Sequence, residues 1–220
     1  MGRSGDRSVI TFETTDGLLL EGDLHVPDGD EGEPSVAVVL CHPHPKMGGD
    51  RHNPVVEAVF ERLVAEHRAV LRFDFRGVGR SQGDKGDGTH ERLDALAAID
   101  RLTSATDAPI WLAGYSFGSA VALAVVDPRV TGWLAIAPPL SMLTTDPAAG
   151  ADPRPKHLLI AGHDQFSPPT ATEATTVGWT AVDTTVLPGA DHFLGGHLDA
   201  VADWVAGVLG RGRSVSGETV

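Results

Sequence analysis

A serine stands between two glycines where an apolar run ends. In "IWLAGYSFGSAVALA", residues 110–124, Gly114-Tyr115-Ser116-Phe117-Gly118 is followed at once by small residues of helical character. A packed turn has no use for a hydroxyl at its sharpest point, but a nucleophile does. The pattern G-x-S-x-G between a strand and a helix lifts the serine oxygen clear of the sheet on a strained turn, and the glycines remove Cβ atoms that would collide there. A hydroxyl attacks well only when a base takes its proton and an acid orients that base. Downstream, "LLIAGHDQFSPP" delivers Asp164 just past one apolar run, and "VLPGADHFLGG" delivers His192 just past the next. The expected chemistry is acyl transfer, with Ser116 as nucleophile, His192 as base and Asp164 as the orienting acid.

The competitors fit less well. His163 belongs to the acid's own loop, and His197 falls near the start of the last helix, where a surface or capping role is expected. Asp183 begins a strand and so sits at the wrong edge of a sheet, while Asp191 adjoins His192 and is a poor partner for its ring. Reading all three chosen residues as ordinary loop positions requires three matches in the right order to be coincidence.

The elements that must position these side chains alternate along the chain. "RSVITFETTDGLLLEGDLHVP" predicts a β-hairpin turning at Asp16-Gly17. "SVAVVLCH" (35–42) is a continuous apolar run, as in a strand buried on both faces. A helix over 54–67 follows, with Asn53 as N-cap and Pro54 at its first position. Then come strand 69–75, helix 90–103, strand 109–115, helix 117–126, strand 130–137, strand 157–162, helix 169–178, strand 183–189 and helix 197–209. This order predicts a mostly parallel sheet of about seven to eight strands, entered through an antiparallel hairpin and covered by helices on both faces. A single domain over 1–210 is expected, with a frayed polar tail over 211–220. Ligands bind such sheets at the carboxyl ends of the strands, where the loops carrying Ser116, Asp164 and His192 lie.

The segments "CHPHPKMGGDRHNPVV", "LRFDFRGVGRSQG", "GYSFGSAVAL", "GHDQFSPP" and "GADHFLGGH" together resemble a branch of small, cap-less bacterial serine hydrolases related to the dienelactone hydrolases, within the α/β-hydrolase superfamily. The resemblance runs from about residue 9 to 209. It implies the α/β-hydrolase fold and a Ser-Asp-His triad, and it says little about the substrate. Dienelactone hydrolases proper carry cysteine in the elbow where this chain has Ser116, and the branch usually has glycine where His163 precedes the acid.

Such a hydrolase needs two amides for the oxyanion. One is the Phe117 N–H, directly after the nucleophile, and the other comes from the loop after the third strand, "HPHPKMGG". Pro43 and Pro45 have no N–H, so His44 between them is the natural donor. A zinc reading of His42, His44 and His52 lacks a carboxylate-plus-histidine cluster to complete the ligand set, so no metal and no cofactor are expected. Cys41 reads as a buried strand residue. "DFRGVGRSQG" fails as a dinucleotide loop because Gln82 stands where its third glycine should be. Asp74, Arg76 and Ser81 are expected to brace a tight turn there.

Between the sixth and seventh strands only "PPLSMLTTDPAAGADPRPK" (138–156) is available, too short for a helical cap. An open pocket is therefore expected, with Met47, Leu140, Met142, Phe166 and Phe193 as its apolar lining beside Phe117. It suits short- to medium-chain esters, hence carboxylesterase activity. A thioesterase, lactonase or small peptidase would use the same triad. A non-catalytic ligand-binding relative would be expected to have lost a triad member, and none is missing.

Composition closes off other classes. A net charge of −13 disfavours nucleic acid and anionic membrane surfaces, leaving a small-molecule ester as the expected partner; a homodimer stays open. The single cysteine excludes an intrachain disulfide and fits a reducing compartment. With neither a signal-like segment nor a membrane-length apolar run, a cytoplasmic location is expected.

Overall fold

A computed structural model of the chain describes residues 7–28 and 33–211. Eight strands form one sheet: β1 (Arg7–Glu13), β2 (Leu19–His25), β3 (Ala37–Cys41), β4 (Ala69–Phe73), β5 (Ile110–Tyr115), β6 (Val130–Ile136), β7 (Lys156–Ala161) and β8 (Val182–Leu187). Their spatial order is β1-β2-β4-β3-β5-β6-β7-β8. The β1–β2 and β2–β4 pairings are antiparallel, and every later pairing is parallel. Among the described residues, five α-helices join them: α1 (Pro54–Ala65), α2 (Glu91–Thr103), α3 (Phe117–Ala124), α4 (Pro169–Thr176) and α5 (Leu198–Arg211). The fold is that of an α/β hydrolase without a cap domain. Of the expected tail, Arg211 instead closes α5, and 212–220 lie outside the described residues.

The apolar runs explain both faces of the sheet. Successive strand residues point to opposite faces, so a run without polar gaps must be covered twice. Val39 and Leu71 join Ala98, Leu102 and Leu123 on the α2 and α3 side. Their neighbours Val38 and Val70 join Val56, Phe60 and Val205 on the α1 and α5 side. The predicted cap of α1 is present: the Asn53 side chain accepts the Val55 N–H at 3.0 Å, with Pro54 at the first helical position.

The chain runs from β3 outward to β4, then back across β3 to β5. This reversal opens a crevice between the carboxyl ends of β3 and β5, where open α/β sheets bind ligands. An ionic cluster, buried except at Asp16, underpins the crevice. Arg51 pairs with Asp74 and with Glu21 (2.7 Å), while Arg76 reaches Asp94 (2.6 Å) and Asp16 (2.9 Å). Ser81 donates to the Asp74 carbonyl at 2.7 Å and accepts the Glu21 N–H at 2.9 Å. The turn after β4 is thereby tied to the entry hairpin and, through Arg51, to the loop after β3.

The segment between β6 and β7 is more structured than its composition suggests. It contains two short 3-10 turns, Leu140–Met142 and Ala148–Ala151. Leu140 is 1% exposed and packs in the core on the α2 and α3 side, so it does not belong to the pocket lining as expected. An apolar residue in a Pro-rich loop carries no periodicity to tell inward from outward.

Candidate active site

Ser116 occupies the junction of β5 and α3 with φ 51° and ψ −120°. Left-handed backbone is costly for a side chain other than glycine, about 1–3 kcal/mol, and persists only where the surroundings enforce it. The glycines on either side show how they do. A Cβ at Gly114 would lie 2.3 Å from the Gly118 carbonyl oxygen, and one at Gly118 would lie 2.3 Å from the carbonyl oxygen of Cys41. The elbow is thus pressed backbone-to-backbone against the end of β3, and α3 begins directly beneath the serine.

The three residues expected to work together do meet. Ser116 Oγ lies 2.8 Å from His192 Nε2, and His192 Nδ1 lies 2.7 Å from Asp164 Oδ2. Asp164 Oδ1 accepts the N–H groups of Phe166 (2.8 Å) and Ser167 (2.9 Å). Burial raises the Asp164 carboxyl, but its bonds to His192, Ser167 and Phe166 outweigh that and hold it below the usual carboxylate range. A carboxylate kept ionised against Nδ1 fixes the tautomer that leaves Nε2 free to take the serine proton. The rejected candidates lie elsewhere. His163 is exposed, Asp183 faces His157 at the sheet edge, Asp191 caps the turn through the Phe193 and Leu194 amides, and the His197 carbonyl accepts the Val201 N–H at the start of α5.

Tyr115 is a positioning residue that sequence reading missed. Its hydroxyl donates to the His192 carbonyl at 2.9 Å. Burial, then the charges of Asp164 and Asp191, push that hydroxyl up to about 12, so it stays a donor. The signal was present, since the elbow holds the only tyrosine of the chain.

The loop after β3 curls over the elbow. The His44 ring stacks on Phe117 with centroids 4.7 Å apart. Gly49 donates to the His44 carbonyl at 3.0 Å, and a Cβ there would lie 2.2 Å from the Pro43 carbonyl oxygen. Beneath them His42 is fully buried. Its Nε2 accepts the Phe75 N–H at 3.0 Å, so Nδ1 carries the proton and donates to the Pro43 carbonyl at 2.6 Å. One imidazole therefore anchors this loop to the β4 turn. Among the described residues, no group of three or more His, Cys, Asp or Glu side chains is placed to hold a metal ion.

His42 makes a pH prediction. Burial lowers its pKa to about 4. Between about pH 6.5 and 4 the unfolded chain binds a proton here that the folded chain refuses. Stability from this group is complete above that window and falls through it by at most about 1.4 kcal/mol per pH unit. Urea unfolding between pH 7 and 4 should show a steeper loss for wild type than for His42→Gln, whose amide supplies a donor and an acceptor without titrating.

A cavity of about 680 Å³ opens over Ser116 and His192. Met47, Met142, Phe166 and Phe193 stand around it. All four are substantially exposed, from 36% at Phe166 to 72% at Met47.

The family model described as serine aminopeptidase, S33, matches residues 32–151, more than half of the chain. The chain belongs to this family of α/β hydrolases. The matched stretch contains the β3 loop and the elbow, and the hydrolase extends beyond it to Asp164 and His192. A protein of Rickettsia prowazekii, RP471, is 33% identical over 170 residues, covering 72% of this hydrolase and 71% of the relative. Among solved structures, an α/β serine hydrolase homologue from Coxiella burnetii superposes with a TM-score of 0.81 at 28% identity, covering 97% of this chain and all of that one. A serine hydrolase without a lid from Xanthomonas campestris shares the fold, with a TM-score of 0.83 at 24% identity over 96% of this chain and 97% of that one. Among the described residues, no helix is long and apolar enough to cross a membrane.

Proposed function

We propose that this hydrolase cleaves short- to medium-chain carboxylic esters through an acyl-enzyme on Ser116. The observation that carries the reading is the unbroken chain from Ser116 Oγ through His192 to Asp164, at 2.8 and 2.7 Å. Ser116 Oγ bonds to the ester carbonyl carbon as His192 Nε2 takes its proton. Asp164 stabilises the imidazolium that forms. In this reading the oxyanion is held by the backbone N–H groups of Phe117, at the start of α3, and of His44, in the loop after β3. When the carbon–oxygen bond breaks, His192 returns the proton to the departing alkoxide. Water, deprotonated by the same ring, then attacks the acyl carbon, and as the Ser116 ester bond breaks His192 returns that proton to Oγ, freeing the serine and the acid.

Short to medium acyl chains suit a cavity of this volume, because methylenes projecting beyond the wall remain in water and add nothing to transition-state binding. A fluorophosphonate should label wild type at Ser116, and a panel of p-nitrophenyl esters should give kcat/KM values that peak between acetate and decanoate and fall towards palmitate. Absence of labelling, or a monotonic rise to palmitate, would overturn the reading. Thioesters, lactones and aminoacyl amides in the same panel test the other leaving groups this triad can serve.

A further inference from the structure

Resting on that ester-hydrolase reading, we propose that the cavity divides at Ser116 into two arms: a groove along α3 that takes the acyl chain, with Ala120 and Ala124 as its length-setting residues, and an aromatic arm that takes the leaving group.

The chemistry orients the substrate. The proton that His192 accepts must be delivered to the departing oxygen, so the leaving group lies on the His192 side of the scissile bond. That side is aromatic. Phe166 meets the His192 ring edge-on at 4.8 Å, Phe193 does so at 5.9 Å, and the two phenyl rings are 6.1 Å apart. The acyl chain must take the remaining space.

That space follows α3. Ser116 is the residue preceding the helix, so α3 leads directly away from the nucleophile. Ala120 and Ala124 are four apart and share one face. Both are half-buried and line the cavity, whereas Ala122 and Leu123 between them are buried in the core. Gly88, Leu143 and Pro147 line the same cavity, and a Cβ at Gly88 would stand 3.5 Å from the Phe117 ring and 3.7 Å from Val121 of α3. The eight residues of α3 span about 12 Å, enough for an extended chain of roughly eight carbons. A methyl is the largest group at either floor position, so a bulkier side chain there would occupy the path of the chain.

The test is a ratio. For Ala120→Phe and Ala124→Phe, kcat/KM on p-nitrophenyl octanoate relative to acetate should fall at least about tenfold against wild type, since each methylene denied its apolar wall loses up to about fourfold. Ala124→Val should give a smaller fall of the same sign, which guards against a phenylalanine variant that does not fold. Phe193→Ala, in the other arm, should instead shift the preference between aryl and ethyl alcohols. An unchanged octanoate-to-acetate ratio in the α3 variants, or an equal fall on both esters, overturns the groove. Labelling rates with butyl and decyl fluorophosphonates separate the two levels of the argument. Wild type labelled by both, with α3 variants that do not slow the decyl reagent selectively, sinks the groove alone. Wild type labelled by neither sinks the ester-hydrolase reading and the groove with it.

Discussion

Ser116→Ala should fold normally and lose about 10⁴- to 10⁶-fold in kcat on p-nitrophenyl esters, with fluorophosphonate labelling abolished. The size of the loss follows from how the three side chains depend on one another. On the proposed mechanism, without the hydroxyl His192 would have no proton to take at 2.8 Å and Asp164 no imidazolium to stabilise. What should survive is the modest catalysis of the proposed oxyanion amides on a passing water. Folding should be spared because alanine retains the Cβ already accommodated at φ 51°. Circular dichroism and the thermal midpoint report the fold, and initial rates report the chemistry. A variant that still labels, or that keeps even a tenth of the wild-type rate, would remove Ser116 from the mechanism.

Gly118→Ala should be strongly damaging for a change of one methyl. The added carbon would lie 2.3 Å from the Cys41 carbonyl oxygen and 2.5 Å from that of His42, and both atoms are backbone. No side chain can swing aside, so either α3 lifts away from the sheet or the end of β3 retreats. Overpacking of a close-packed interior costs about 1–3 kcal/mol and more where backbone must move, which lowers the melting temperature of a chain this size by roughly 2–12 °C. The same displacement pulls the His44 loop from the elbow, so kcat should fall at least about 100-fold even where the protein folds. Gly210→Ala is the control: it sits in α5 with no atom near its would-be Cβ, and should be neutral or slightly stabilising. Equal melting temperatures for the two variants would refute the contact argument.

Much of this site was legible in the sequence because its parts are locally encoded. The buried strands announce themselves as uninterrupted apolar runs, and the elbow as glycines around a serine at a strand end. Asp164 and His192 follow from chain order, since each ends a later strand. Other features depend on residues far apart in the chain. Nothing near His42 signals that its ring bonds the amide of Phe75, or that Arg51 pairs with Asp74 and Glu21. Leu140 was misplaced for a related reason, because a lone apolar side chain in a loop faces whichever way the tertiary packing turns it. The α3 groove was hidden too. Ala120 and Ala124 read as ordinary helix formers until the loops beside them are known.

The three groups of the proposed triad hang from strands of unequal security. Ser116 leaves β5 in the middle of the sheet and Asp164 leaves β7, whereas His192 follows β8, the outermost strand, hydrogen-bonded on one side only and partly open to solvent along its length. Such margins open by local unfolding at a fraction of the free energy needed to melt the whole molecule. On the proposed mechanism, loss of activity and loss of structure should therefore be separable in this hydrolase: a fluctuation that detached β8 would withdraw the imidazole and stop turnover while the rest of the sheet stood intact. The Tyr115 hydroxyl, fastening the His192 carbonyl to the end of a central strand, opposes that fluctuation at its most consequential point.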